Sequence, residues 1–259
     1  MGHLGLKTTS RRQGRLGMPR AGNATLSDMT GEDKEARDFA HQAYEKPEER
    51  ASSHKGYELD KELSDKTTAV YHNPTTKQNY IGFRGTADLK DLFTDTLDPR
   101  GNIVRGTQRN NPVYKADLKK YDAVKAKYGG DTRVSGHSLG GSRAKFVSRE
   151  RNAHGQAFNL GSGMDKTMLK DKLRCNNPIK SMRPAFCDKF TAHHVKGDAL
   201  SVTHNLGYGN HKKYAYKNPT KAHFLGNWKP MDDNPTDDKP KPKKKKKKKK
   251  KKSWLPWRN

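Results

Sequence analysis

The residues most able to do chemistry are Gly136-His137-Ser138-Leu139-Gly140, which match Gly-x-Ser-x-Gly. That pattern marks a nucleophile when a strand precedes it and a helix follows. A serine hydroxyl is a weak nucleophile at neutral pH, so it needs an imidazole to take its proton and a carboxylate to orient the imidazole. Asp198 sits on a Gly-Asp turn just past a predicted strand, where the carboxyl ends of sheet strands hold functional groups. Three histidines follow it: His204, His211 and His223. His223 lies on a short apolar segment, 221–228, that fits a loop folded back over the site. His211, among lysines and tyrosines on a predicted edge strand, is the alternative base. Charge developing on a substrate oxygen also needs N–H donors placed beforehand. Leu139, directly after the serine, offers one, and the turn Phe83-Arg84-Gly85-Thr86 offers the other through Thr86.

These groups need a scaffold, and the chain supplies its parts in order. Residues 131–135 read as a strand and 139–152 as a helix, so Ser138 falls on the corner between them. Residues 67–72 and 79–84 read as a hairpin joined through 73–78, with Gly85-Thr86 stopping the second strand. Residues 88–96 read as a short helix with acids in its first turn. Residues 112–128 read as a longer helix with an apolar stripe of Val113, Leu118, Tyr121, Val124 and Tyr128, ended by Gly129-Gly130. Further strands are predicted over 156–160 and 188–195. Residues 31–49 suit a short helix on the domain edge, and 51–65 a charged connection. Strands alternating with helices imply parallel pairing in an α/β sheet.

Two blocks carry a family likeness. Tyr80-Ile81-Gly82-Phe83-Arg84-Gly85-Thr86, followed by Asp88, Asp91 and Asp95, and the stretch from Val134 to Gly141 resemble the two signature blocks of the class 3 (fungal-type) lipases. The resemblance spans about residues 65–228. It implies an α/β-hydrolase-type fold, a mostly parallel sheet with flanking helices, acting on carboxylic esters with no cofactor and no metal. It implies Ser138 as nucleophile, Thr86 and Leu139 as oxyanion donors, and Asp198 and His223 as acid and base. The chain departs from the family at Ala199-Leu200-Ser201, where a valine-proline pair is usual, and it shows no apolar lid segment. Both departures argue against interfacial activation and long-chain substrates.

Charge divides the chain into three parts. The formal net charge is +26 over 259 residues. Lys7, Arg11, Arg12, Arg15 and Arg20 load the first twenty residues, and thirteen basic residues load 239–259, ten of them the run from Lys243 to Lys252. Removing five charges at one end and thirteen at the other leaves +8 for 21–238. The expected organisation is a disordered basic arm (1–30), a lipase-like domain (31–232) and a disordered polylysine tail (233–259). A hydrophobic fraction of 30% and a mean hydropathy of −1.18 imply a small core under a charged surface.

No stretch reaches the roughly 18 apolar residues of a membrane span, and the amino terminus lacks the apolar run of a secretory signal. That favours a cytoplasmic, nuclear or virion-associated protein. Cys175 and Cys187 can form one optional bridge at most. The expected activity is hydrolysis of a lipid or other ester, with the tail directed to an anionic membrane surface or to nucleic acid. The alternative is a catalytically silent lipase-like scaffold, structural or binding membrane or nucleic acid, with a viral protein as one form it could take. The sequence leaves the oligomeric state open.

Overall fold

A computed structural model describes residues 29–85, 112–161, 166–195, 198 and 208–214. The expected helix at 88–96, the basic arm before residue 29, the polylysine tail, Thr86 and His223 lie outside them. The described residues form an eight-stranded sheet whose strands follow one another in chain order. Strands β1 (Ser53–His54), β2 (Tyr57–Leu59), β3 (Thr68–His72) and β4 (Gln78–Phe83) make an antiparallel meander. From β4 onward the pairing is parallel, through β5 (Asp131–His137), β6 (Gly155–Phe158), β7 (Phe190–Val195) and β8 (Asn210–Tyr214). The fold is of the α/β-hydrolase type, a mostly parallel sheet with flanking helices, as the family resemblance implied.

Helix α1 (Gly31–Gln42) starts at a capping box, with the Thr30 hydroxyl accepting the Asp33 N–H at 3.2 Å and the Asp33 carboxylate accepting the Thr30 N–H at 3.3 Å. Expected on the domain edge, it instead lies on the middle of the sheet, with Ala36, Phe39, Ala40 and Ala43 fully buried. The Phe39 ring stacks on Tyr80 at 4.3 Å between centroids and meets Tyr57 and Tyr71. Its backbone approaches Gly82 so closely that a β-carbon there would overlap the Phe39 carbonyl. Truncating Phe39 to alanine would cost about 3–5 kcal/mol. Residues 51–65, expected as a connection, contain β1 and β2, which are too short to show an alternating pattern.

Helix α2 (Pro112–Tyr128) has the expected bounds but a shifted inner face. Tyr114, Asp117, Tyr121 and Val124 are buried, whereas Val113 is 50% exposed. The stripe was misphased at its start because one buried position carries a charge, Asp117, neutralised by Arg143. Helix α3 (Leu139–Arg151) is enclosed over Gly140 to Ser148 and ends at Asn152 in the left-handed conformation. Helix α4 (Lys166–Cys175) leads to a disulfide between Cys175 and Cys187, so the optional bridge forms. Asp188 belongs to a 3-10 turn (Ala185–Asp188), so β7 begins later than expected, and it is buried on both faces. No helix among the described residues is long and apolar enough to cross a membrane.

Candidate active site

Ser138 occupies the corner between β5 and α3 with φ 55° and ψ −126°, a conformation that non-glycine residues rarely adopt. Such backbone strain is worth on the order of 1–3 kcal/mol and persists only where the surroundings impose it. They do so here by hydrogen bonds on both sides. The Ser138 N–H donates to the Phe158 carbonyl at 3.0 Å, and the Ser138 carbonyl accepts the N–H groups of Gly141 at 2.9 Å and Gly161 at 3.0 Å. The glycines are steric requirements of the corner. A β-carbon on Gly136 would overlap the Gly140 carbonyl, and one on Gly140 would overlap the Phe83 carbonyl. These contacts lay the start of α3 against the end of β4.

The first residue of α3, Leu139, presents its N–H beside the Gly85 turn: a β-carbon on Gly85 would stand 3.2 Å from Leu139 N. Two side chains that the sequence did not advertise hold this turn. Tyr44, just after α1, has its hydroxyl 2.9 Å from His137 Nδ1 and accepts the Gly85 N–H at 3.1 Å. Burial pushes its phenol well above the ordinary range, so it stays protonated. From the other side, Arg143 donates to the Arg84 carbonyl at 3.1 Å and the Thr67 carbonyl at 3.2 Å. The Arg143 guanidinium is itself fixed by Asp117, at 2.8 and 2.6 Å, and lies 4.9 Å above the Phe83 ring. A tyrosine just past a charged helix and an arginine inside a helix carry no periodic signal, so only the fold brings them here.

Asp198 lies where expected, three residues past the end of β7, buried, with its N–H donating to the Val195 carbonyl at 3.3 Å. Ser138 and Asp198 thus stand past the carboxyl ends of β5 and β7. His211 lies on edge strand β8, as the sequence suggested, but at a lower level. It pairs with Ala192, which is level with Ala157 and Gly136. Three strand spacings, about 14 Å, separate β8 from β5. The His211 Nδ1 is 3.1 Å from His194 Nε2. Burial, then the neighbouring His211, hold the His194 pKa down to about 3. Lys145, two turns along α3 from Ser138, is buried, with its ammonium 4.7 Å from the Tyr208 ring centre and 5.5 Å from that of Phe190. Among the described residues, no group of His, Cys, Asp and Glu side chains is arranged to hold a metal.

A family model described as a phospholipase-like, Tle-like phospholipase domain matches residues 22–222. Among solved structures, Lip2 lipase from Yarrowia lipolytica is similar at 19% identity, covering 70% of this chain and 77% of that one, with a TM-score of 0.44. A triacylglycerol lipase from Penicillium expansum is similar at 14% identity, over 74% of this chain and 81% of that one, with a TM-score of 0.45. Lipase II from Rhizopus niveus is similar at 16% identity, over 63% and 68% of the two chains, with a TM-score of 0.41. No curated protein sequence matches. With the family match running from before α1 to beyond β8, through the serine corner and Asp198, the chain belongs to the Tle-like phospholipase family.

Proposed function

We propose that this domain hydrolyses the acyl esters of phospholipids through a serine nucleophile. The observation that carries the reading is Ser138, held at φ 55° and ψ −126° at the head of α3 with the Leu139 N–H beside the Gly85 turn. In the proposed cycle the Ser138 hydroxyl adds to the ester carbonyl while His223 takes its proton and Asp198 holds the imidazole. The tetrahedral oxyanion rests on N–H donors from Leu139 and Thr86. Its collapse expels the alcohol, which receives the proton from His223 and leaves an acyl-enzyme. Water, deprotonated by the same histidine, then adds to the acyl carbon and releases the fatty acid and Ser138. His223 is preferred to His211 because β8 holds the latter three strands from β5, engaged with His194. No metal or cofactor takes part in this scheme. The lysine tail is proposed to concentrate the enzyme on anionic lipid, at about 1 kcal/mol per lysine near the surface.

A fluorophosphonate probe tests the reading directly. The full chain is expected to be labelled at Ser138 and to release fatty acid from phospholipid, and Ser138→Ala to do neither while keeping its circular dichroism. Labelling that survives in Ser138→Ala, or a folded wild-type chain that neither reacts nor hydrolyses, overturns it.

A further inference from the structure

Among the described residues four large hydrophobic side chains are exposed, and three of them, Leu173 (68%), Ile179 (55%) and Met182 (63%), fall within ten residues of one another. The fourth, Val113, is on α2. The segment around the three is strongly basic. Lys170, Lys172, Arg174, Lys180 and Arg183 face a single acid within 170–183, Asp171, and that acid is buried in an ion pair with Arg149.

The segment is a built platform. The Cys175–Cys187 disulfide closes its base, with Cα atoms 5.4 Å apart, and both cysteines sit in a buried cluster with Phe190 and Tyr208. Within the closed loop the Arg183 Nε donates to the Asn177 carbonyl at 2.7 Å, the Ile179 N–H to Asn177 Oδ1 at 2.9 Å, and the Met182 N–H to the Ile179 carbonyl at 3.0 Å. Ile179 and Met182 are therefore held outward on one fixed turn.

We propose that this segment, the end of α4 together with the disulfide-closed loop that follows it, is a docking surface for an anionic phospholipid bilayer. Exposed aliphatic side chains among lysines and arginines suit the headgroup boundary, where apolar groups enter the acyl layer and basic stems reach back to phosphate. Protein interfaces are instead enriched in aromatic residues and depleted in lysine. Single-stranded nucleic acid asks for exposed stacking rings, whereas Phe186, the aromatic residue of this loop, is half-buried against Tyr208. A second copy would bring like charges together. The loop feeds β7 at its first residue, so it lies toward the end of the sheet where the parallel strands begin, away from Ser138. A chain docked here turns its serine corner away from that bilayer, so the contact anchors the chain and the ester reaches Ser138 from solution or from an apposed surface.

The test uses the full chain carrying Ser138→Ala, so that vesicles stay intact, and compares it with the same chain carrying Leu173→Ser, Ile179→Ser and Met182→Ser. Sedimentation with phosphatidylglycerol vesicles is run at 0.1 M and 0.5 M salt, the latter to screen the lysine tail. The triple variant is expected to bind at least tenfold more weakly at 0.5 M salt. Lys180→Gln with Arg183→Gln is expected to weaken binding severalfold at 0.1 M salt, and neither set to change binding to phosphatidylcholine. Equal vesicle binding by the triple variant and its parent at both salts overturns the proposal. So does a loss confined to polyglutamate or duplex DNA, which would mark a surface for acidic protein or nucleic acid. Fluorophosphonate labelling of Ser138 in the triple variant with Ser138 restored should equal that of wild type; its absence from both chains would count against the serine reading alone.

Discussion

The Tyr44 hydroxyl stands 2.9 Å from Nδ1 of His137 and accepts the N–H of Gly85 at 3.1 Å, so one oxygen joins the residue before the nucleophile to the residue before Thr86. With Nδ1 unprotonated, the hydroxyl donates its hydrogen there, and every bond of the bridge is made. Tyr44→Phe keeps the ring and leaves the half-buried Gly85 N–H and a ring nitrogen without this partner, a loss of about 1–3 kcal/mol. The loss falls on the turn that must hold an oxyanion donor. The expected result is about a tenfold drop in kcat on a short-chain ester with KM little changed, alongside a small fall in Tm. An unchanged kcat with the same fall in Tm would make Tyr44 a packing residue only.

Arg143 and Asp117 form a bidentate pair with side chains 6% and 3% exposed. Removing one member of a buried pair strands the other charge and costs about 3–5 kcal/mol, whereas an apolar replacement of both is far milder. Arg143→Leu should therefore lower urea stability by that amount, and Arg143→Leu with Asp117→Leu should recover most of it. Activity should not recover with stability, because the double variant still lacks the donors to the Arg84 and Thr67 carbonyls. Recovery of both would show that the Gly85 turn holds without the guanidinium.

Lys145 is the one buried ammonium among the described residues with no hydrogen-bond partner, and burial pushes its pKa down to about 7, opposed only by the charge of Asp171. The unfolded chain keeps this proton up to about pH 10.5. Between pH 7 and 10.5 the unfolded state therefore binds more protons, and stability rises with pH across that window. Lys145→Met removes the penalty. It should stabilise the fold by roughly 2–4 kcal/mol at pH 7, with the advantage shrinking to nothing as pH passes 10.5. A pH-independent difference in Tm would mean that the lysine and its charge are not buried in solution.

The sequence disclosed what depends on local pattern. Ser138 was legible because a glycine-flanked serine between a strand and a helix permits few backbone paths, and the hairpin of β3 and β4 because turn residues separate two β-branched and aromatic runs. Asp198 and the edge position of His211 followed from strand ends. The central place of α1 was not legible, since its buried stripe of Ala36, Phe39, Ala40 and Ala43 is thin and diluted by charge. Nor were Tyr44 and Arg143, whose partners lie 41 and 26 positions or more away in the chain. Contacts of that range exist only once the sheet has ordered its strands.

Two neighbouring histidines of β7 set the acid limit of the fold. The His193 ring is fully buried, with Nδ1 3.0 Å from the Tyr214 hydroxyl and Nε2 2.9 Å from Gln156 Oε1, an arrangement complete for a neutral imidazole. Burial holds its pKa down to about 3, against the opposing charge of Asp33 and helped by that of Lys212. His194, on the other face, is held at about 3 by burial and by His211, His193, Lys145 and Lys213. In the unfolded chain both titrate near 6.5. These are folded-state pKa values depressed for bases, so the unfolded state binds the extra protons and stability is lost as pH falls from 6.5 toward 3. At pH 5 the loss is on the order of 2 kcal/mol for each ring. Tm should therefore fall steeply between pH 7 and 4.5, and His194→Gln should reduce the proton uptake on unfolding at pH 5 by about one. A variant whose Tm tracks the wild type across the whole range would show that His194 takes up its proton within the native fold.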